Sequence, residues 1–427
     1  MKLSEITTLV EDKISSGKVS LADYITTDSL LPNKEGKTIA TNLPPTICSL
    51  THYRKGDVLV ANIRPYLKKV WFADKEGGCS SDVLVFRAKE GYISSFLYAV
   101  LLQDCFFDYA MKGAKGSKMP RGDKEQIMRY ELPIFSPQEQ ENIGNLIIDV
   151  TNKLRLNRSI NHNLEAMAKQ LYDYWFLQFD FPDENGKPYK SSGGKMVWNE
   201  KLKREVPVLW ESKLVDDVAE VFNGATPSTA DEQNYGGSIV WITPKDLSDQ
   251  KQKFVYHGER NISHKGYDSC STHLLPINTI LMSSRAPIGL LSIAKTNLCT
   301  NQGFKNFVSK EKNIATYLYY YLKIHIKQIE QLGTGTTFKE VSREDVLKFP
   351  ILKPSNETLC LWEKNVAIIN DKQLEIQKEN ENLTKLRDSL LPLLMNGQVS
   401  VNYDLAVLSQ KVCKSRRSYS GTKKVVR

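Results

Sequence analysis

Basic side chains set on turns beside apolar strands are the plainest chemistry in this chain. Arg285, in Ser284-Arg-Ala-Pro-Ile-Gly289, follows the apolar run at 280–282. A strand-end arginine forks onto the O6 and N7 of guanine in a major groove, or pairs with a carboxylate. Arg64 falls at the matching place in the first half of the chain. Lys68 and Lys69 follow it, beside Tyr66 and Trp71. Cations interleaved with aromatics suit a nucleic-acid face. The glycine-containing loop at 112–121 holds Lys115, Ser117, Lys118 and Arg121 with little side-chain bulk, which suits phosphate or groove contact. Its counterpart, GTGTTF at 333–338, offers Thr334, Thr336 and Thr337 instead, so the two loops are expected to read different bases. The turn-rich stretch 222–248 adds Thr226, Ser228 and Lys245. Hydroxyls and backbone N–H groups on tight turns approach phosphates closely there.

Catalytic signatures are missing. The sequence has no G-x-x-x-x-G-K-[ST] loop, no H-E-x-x-H and no G-x-S-x-G. His52, His162, His257, His264, His273 and His325 are dispersed rather than spaced as metal ligands. The nearest string to a methyltransferase D/N-P-P-Y/F turn, Asn42-Leu-Pro-Pro-Thr46, has an extra residue and no aromatic. The expectation is a chain without catalysis of its own, binding no metal or cofactor.

At 427 residues, 41% hydrophobic and 25% charged, the chain has the composition of a globular protein with more than one core. No run approaches a membrane span. The acidic N-terminus is unlike a signal peptide, and seven scattered cysteines without a C-x-x-C pair read as reduced thiols. A cytoplasmic location is expected. The net charge of +9 is mostly local: seven bases after Asp404 supply +7 and leave +2 for the rest. The basic tail, 398–427, is expected to be solvated and irregular.

These residues sit on an architecture written twice. Residues 56–73 align with 277–294, placing Arg64 on Arg285 and apolar positions on apolar positions. Each copy continues into a glycine loop and an apolar strand, then a helix opened by Ser136-Pro137 or Pro354-Ser355. In the first helix Ile143, Val150, Asn157, Leu164 and Leu171 form one row at a seven-residue period, and Ile147 and Leu154 begin a second. In the second helix the row is Trp362, Ile369, Ile376, Leu383 and Leu390, with Leu386 and Leu393 three residues on. Narrow apolar stripes at that period are coiled-coil stripes, and the mid-stripe amides Asn157, Asn161, Gln373 and Asn380 need amide partners.

The motifs Gly224-Ala-Thr-Pro-Ser228, Tyr235 through Leu247, Ser284-Arg-Ala-Pro-Ile-Gly289, LPNKEG at 31–36 and both helix ends resemble the specificity subunit of type I restriction–modification enzymes. The resemblance covers nearly everything to about residue 401, although the first half lacks the G-x-T-P-S start. It implies an α+β fold: two similar mixed α/β target recognition domains separated by two long antiparallel coiled-coil helices. The expected divisions are domain one at 1–135, spacer helix at 136–180, linker at 181–210, domain two at 211–353, spacer helix at 354–397 and the tail. The linker is read as irregular, with room for a short hairpin. The resemblance also implies partners: double-stranded DNA read in two parts, two methyltransferase subunits, and motor–nuclease subunits. S-adenosylmethionine, ATP and Mg would be used by those subunits, and no membrane is involved. The competing reading is a coiled-coil scaffold that binds proteins without DNA selectivity.

Overall fold

Strands buried on both faces organise each half of the chain. The structure is a computed structural model that describes residues 1–200, 202–334 and 339–401. The chain divides into two compact units: Met1–Asn157 with the chain from Asn380 onward, and Arg158–Glu379. The expected boundaries at 135/136 and 353/354 follow the ends of the helices. The compact units instead cut through both long helices, because helix side chains pack within each unit.

In the first unit the strand Val58–Ala61 is buried at every position. Val58 and Val60 join a cluster with the helix Ser94–Leu102, while Leu59 and Ala61 face Ile25, Leu30 and Tyr53. A run apolar on both faces is what a strand covered twice requires. It lies in a four-stranded antiparallel sheet, in the order Thr7–Leu9, Val83–Ala88, Val58–Ala61, Val70–Phe72. A second sheet runs Lys13–Ser15, Ser49–Tyr53, Gly77–Cys79, Tyr24–Ile25, and its last pair is parallel.

The second unit repeats the plan. Its larger sheet runs Ala219–Asn223, Phe304–Ser309, Ile280–Ser283, Leu291–Ala294, Phe254–Val255. The first four strands pair antiparallel in the same order as their counterparts. A smaller sheet again holds a parallel pair, Tyr235–Ile242 with Leu298–Thr300. Ile280 and Met282 face one cluster and Leu281 the other. The stretch 181–210 is more ordered than an irregular linker. It forms the hairpin Met196–Asn199 with Arg204–Pro207, and it buries Phe181, Val206 and Trp210 in the main core.

Backbone bonds correct one detail of the repeat. Gly122 N donates to Asn62 O at 3.1 Å, as Val341 N donates to Ser284 O at 3.0 Å. Ile63 bridges Arg121 just as Arg285 bridges Glu340. Ile63, not Arg64, is therefore the counterpart of Arg285. The connection after the central strand is one residue longer in the first unit (62–69 against 284–290), which an ungapped alignment cannot absorb.

The first long helix is Pro137–Tyr172, extended by a π-turn over Asp173–Leu177, and the second is Asn356–Met395. Ser136 and Glu139 form a reciprocal cap: Ser136 N donates to Glu139 Oε2 at 2.8 Å and Glu139 N to Ser136 Oγ at 3.3 Å. Pro137 at the first helical position needs no N–H partner. Ser355 Oγ accepts from Thr358 N at 3.3 Å to open the second.

Within the first unit Ile143 and Ile147 share a core with Leu391, Leu394 and Met395, and Asn157 Nδ2 donates to Asn380 Oδ1 at 3.0 Å. Leu154 is buried and Val150 half-buried. Within the second unit Leu171 and Ile369 pack on the main core, Ile376 is buried and Leu164 half-buried. Leu383 and Leu390 are half-buried in the first unit. The expected companions Leu386 and Leu393 are instead exposed, at 47% and 38%. Val366, Gln373, Arg387 and Leu394 are buried in their place, four residues on from the first row. Much of that row is polar, so a search for apolar period passes over it.

Candidate nucleic-acid interface

Each unit ends its central strand against a short loop closed by reciprocal backbone bonds. In the first unit Lys115 and Arg121 exchange N–H···O bonds at 2.9 Å, and in the second Thr334 and Glu340 do so at 3.0 Å. These are the two glycine loops. Their bases dock on the connection after the central strand, through Arg64 N to Pro120 O at 2.8 Å and Val341 N to Ser284 O at 3.0 Å.

The first-unit loop presents Lys115, Ser117 and Lys118 to solvent. Lys115 lies 3.2 Å from Asp123, and Arg121 pairs with Asp82 at 2.9 Å. Asp123 caps the helix Lys124–Met128 by accepting from Glu125 N and Gln126 N. The Gln126 N–H, then Lys115, hold its carboxyl below the ordinary carboxylate range. Arg64 adopts the left-handed conformation, φ 53°, and its Nε is buried without a partner among the described residues. Lys68 and Lys69 are engaged internally. Lys68 pairs with Asp104 at 2.9 Å, and Lys69 donates to the Thr27 carbonyl. Burial lowers the Lys69 ammonium below its ordinary pKa. The Lys68 and Lys69 side chains are less open to solvent than Lys115 and Lys118.

In the second unit the candidates follow one continuous edge. Thr226 Oγ1 donates to Gln302 Oε1, Ser284 N donates to the neighbouring Gly303 O at 2.8 Å, and Arg285 reaches Glu340. Thr334 is exposed on the far side of that bridge, while Thr336 and Thr337 lie outside the described residues. The turn at 224–228 is held from within. Trp241 Nε1 donates to Ala225 O at 3.1 Å, Tyr235 Oη to Pro227 O at 2.8 Å and Asn234 Nδ2 to Ser228 O at 2.9 Å. Gly224 is required here, because a Cβ would lie 2.1 Å from Asn301 O and 2.3 Å from Thr300 O. Those bonds leave the side chains of Thr226 and Ser228 on the outside. Lys245 opens the helix Pro244–Gln250 and pairs with Glu259 at 2.8 Å, which raises its pKa.

Two buried lysines are absent from the candidates drawn from sequence. Lys34, inside the LPNKEG motif, is buried and lies 2.8 Å from Asp104 and 3.2 Å from Asp388 of the second long helix. Lys253 precedes the edge strand Phe254–Val255, with its ammonium among Glu165, Tyr320, Asn370 and Gln373. A lone lysine in a polar run carries no sequence signal of burial.

Among the described residues, no group of three or more His, Cys, Asp or Glu side chains is placed to hold a metal ion. No described helix is long and apolar enough to cross a membrane.

Two related α/β units each expose a polar loop edge, and both long helices run through both units. The family model for the type I restriction modification DNA specificity domain matches residues 2–166 and 207–385, and the chain belongs to that family. It is 36% identical over 198 residues to the type I restriction enzyme MjaIX specificity subunit of Methanocaldococcus jannaschii, covering 45% of this chain and 46% of that relative. The match thus spans about half of that protein. Against the HindI specificity subunit of Haemophilus influenzae the identity is 25% over 403 residues, covering 81% of this chain and 87% of that one. The crystal structure of the type I system S subunit from M. genitalium shares the fold, with TM-score 0.59 and 14% identity over 92% of this chain and 95% of that one.

Proposed function

We propose that this chain is the non-catalytic specificity subunit of a type I restriction–modification complex. It reads double-stranded DNA in two unlike parts, one for each recognition domain, at 1–135 and 211–353. The long helices pair antiparallel as a coiled coil, set the gap between the two parts and dock two methyltransferase subunits, to which motor–nuclease subunits add. Methylation from S-adenosylmethionine and ATP- and Mg-dependent cleavage belong to those partners, in the cytoplasm. One observation carries the reading: the same loop-on-sheet edge is built twice with different faces. Cations and Arg121 form one face, and threonine and Arg285 form the other. The Asn157–Asn380 bond supports paired helices.

The test is the methylome of a host expressing the chain with its methyltransferase, read at single-base resolution for N6-methyladenine. The expected result is a two-part asymmetric motif with a fixed gap. Exchanging residues 1–135 for those of a relative then changes one part only. A continuous motif, or no new methylation with an active partner present, sinks the reading. A second expectation concerns the helices. Leu164→Lys or Leu383→Lys forces an ammonium into the helix stripe and abolishes recognition of the two-part target, while circular dichroism still reports folded domains. Intact two-part binding in either variant refutes the fixed gap.

A further inference from the structure

The geometry points to Glu340 as a positioning residue that aims Arg285 at one base pair of the second half-target. This rests on the DNA-reading function proposed above. Glu340 Oε2 accepts from Arg285 Nε at 2.9 Å, and its other oxygen lies 3.2 Å from the buried Lys305 ammonium. Burial pushes the Glu340 carboxyl up, but hydrogen bonds from Lys305 and Arg285 outweigh it and hold it below its ordinary value. The carboxylate therefore stays charged across the neutral range.

Among the described residues the guanidinium is held by its inner Nε edge. Its two terminal nitrogens have no side-chain or backbone partner among the described residues, and the side chain is 49% exposed. The terminal pair is the edge that forks onto two acceptors of a guanine. Holding the inner edge removes rotamer freedom that binding would otherwise have to freeze. Lys305 offsets the Glu340 charge from inside, so the three groups carry a net single positive charge. The arginine is held without being neutralised. The backbone is fixed as well, by the Arg285–Glu340 bridge and the two Thr334–Glu340 bonds.

The first unit places its arginine on the opposite side of the same bridge. Ile63 occupies the place of Arg285, Arg121 the place of Glu340, and Asp82 holds Arg121 through Nη2. Arg121 gives up a terminal nitrogen to its carboxylate, so the simple end-on fork belongs to the second unit.

The experiment uses the full chain in complex with its methyltransferase subunits. Binding is measured to the wild-type duplex and to duplexes changed singly at every position of both parts. Glu340→Gln keeps the shape and weakens the hold on Nε; Arg285→Lys keeps the charge and loses the fork. Each is expected to lose roughly tenfold to a hundredfold of discrimination at one and the same guanine position, as expected for a bidentate contact. The first part should be read as before. Weakening that is uniform over all duplexes, with a salt slope lower by about one in Arg285→Ala, would make Arg285 a phosphate contact and overturn the inference. So would unchanged discrimination in Glu340→Gln, whatever Arg285→Lys does, or a loss of melting temperature that accounts for the binding change. A wild-type complex that selects no two-part sequence defeats the underlying function instead, whatever the variants do.

Discussion

Trp362→Ala destabilises the second unit by about 3–5 kcal/mol, the usual cost of emptying a large aromatic site. Trp362 is fully buried on the second long helix. Its ring centroid lies 5.0 Å from Phe176, 5.7 Å from Tyr172 and 6.0 Å from Trp175, all from the end of the first long helix and its π-turn. Tyr320, from the helix Ala315–Gln331, adds a fourth contact at 5.9 Å. One side chain thus joins three helices, and each edge contact adds roughly 0.5–1.5 kcal/mol beyond area. The indole Nε1 has no hydrogen-bond partner among the described residues. Trp362→Phe removes that orphan donor, worth about 1–3 kcal/mol, and so recovers much of the lost packing. The expected order of stability is wild type, then Phe slightly below, then Ala far below. Calorimetry should show the alanine variant losing on the order of 10 °C in one transition. Equal losses for Phe and Ala would show that ring packing is not what holds the three helices.

The same core shows what the sequence could and could not reveal. A repeat of apolar strands, a glycine loop and a capped helix was legible because each is a local pattern of period or turn chemistry. The expected helix spans 136–180 and 354–397 compare with Pro137–Tyr172 plus its π-turn and Asn356–Met395. Asn157 finds its amide partner in Asn380, whereas the stripe amide Gln373 is held by Lys253 and Glu165, charged groups that the stripe pattern does not reveal. Register was harder. One added residue moved Arg64 off the place of Arg285, and only backbone bonds fix that count. The buried row Val366, Gln373, Arg387 and Leu394 was legible only at its amide, because half of it is polar. Among the site residues, the loop cations could be found from composition. The pairings of Arg121 with Asp82 and of Arg285 with Glu340 could not be found, because each joins segments far apart in sequence. Lys34 and Lys253 were invisible for the same reason: their partners, Asp388 for one and Glu165, Tyr320 and Asn370 for the other, lie on helices distant in sequence.

Lys253 leads to the second large effect. Its ammonium sits 2.7 Å from Tyr320 Oη, 2.8 Å from Asn370 Oδ1, 3.0 Å from Gln373 Oε1 and 3.1 Å from Glu165 Oε2. Glu165 also takes Lys323 at 2.6 Å, and Gln373 Nε2 donates to it at 3.2 Å. The node fixes the sheet edge to both long helices. Removing one partner of a buried pair costs about 3–5 kcal/mol when the other is left alone. Glu165→Gln leaves Lys253 with neutral acceptors only, so its cost should approach the lower end of that range. Lys253→Met should cost less, because Glu165 keeps Lys323 and is partly open to solvent. The double variant should cost less than the sum.

The pH dependence separates the two groups. Burial raises the Glu165 carboxyl, but Lys253 and Lys323 outweigh it and bring its pKa to about 2, against an ordinary 4.5. Its stabilisation is therefore complete above pH 4.5 and is lost as pH falls toward 2. Burial lowers Lys253 to about 8 from 10.5, so the unfolded chain holds the proton more tightly and stability rises as pH climbs from 8 to 10.5. In urea titrations Glu165→Gln should flatten the acid limb and Lys253→Met the alkaline rise. Parallel limbs in wild type and both variants would mean that the node is too hydrated to hold the sheet edge on its helices.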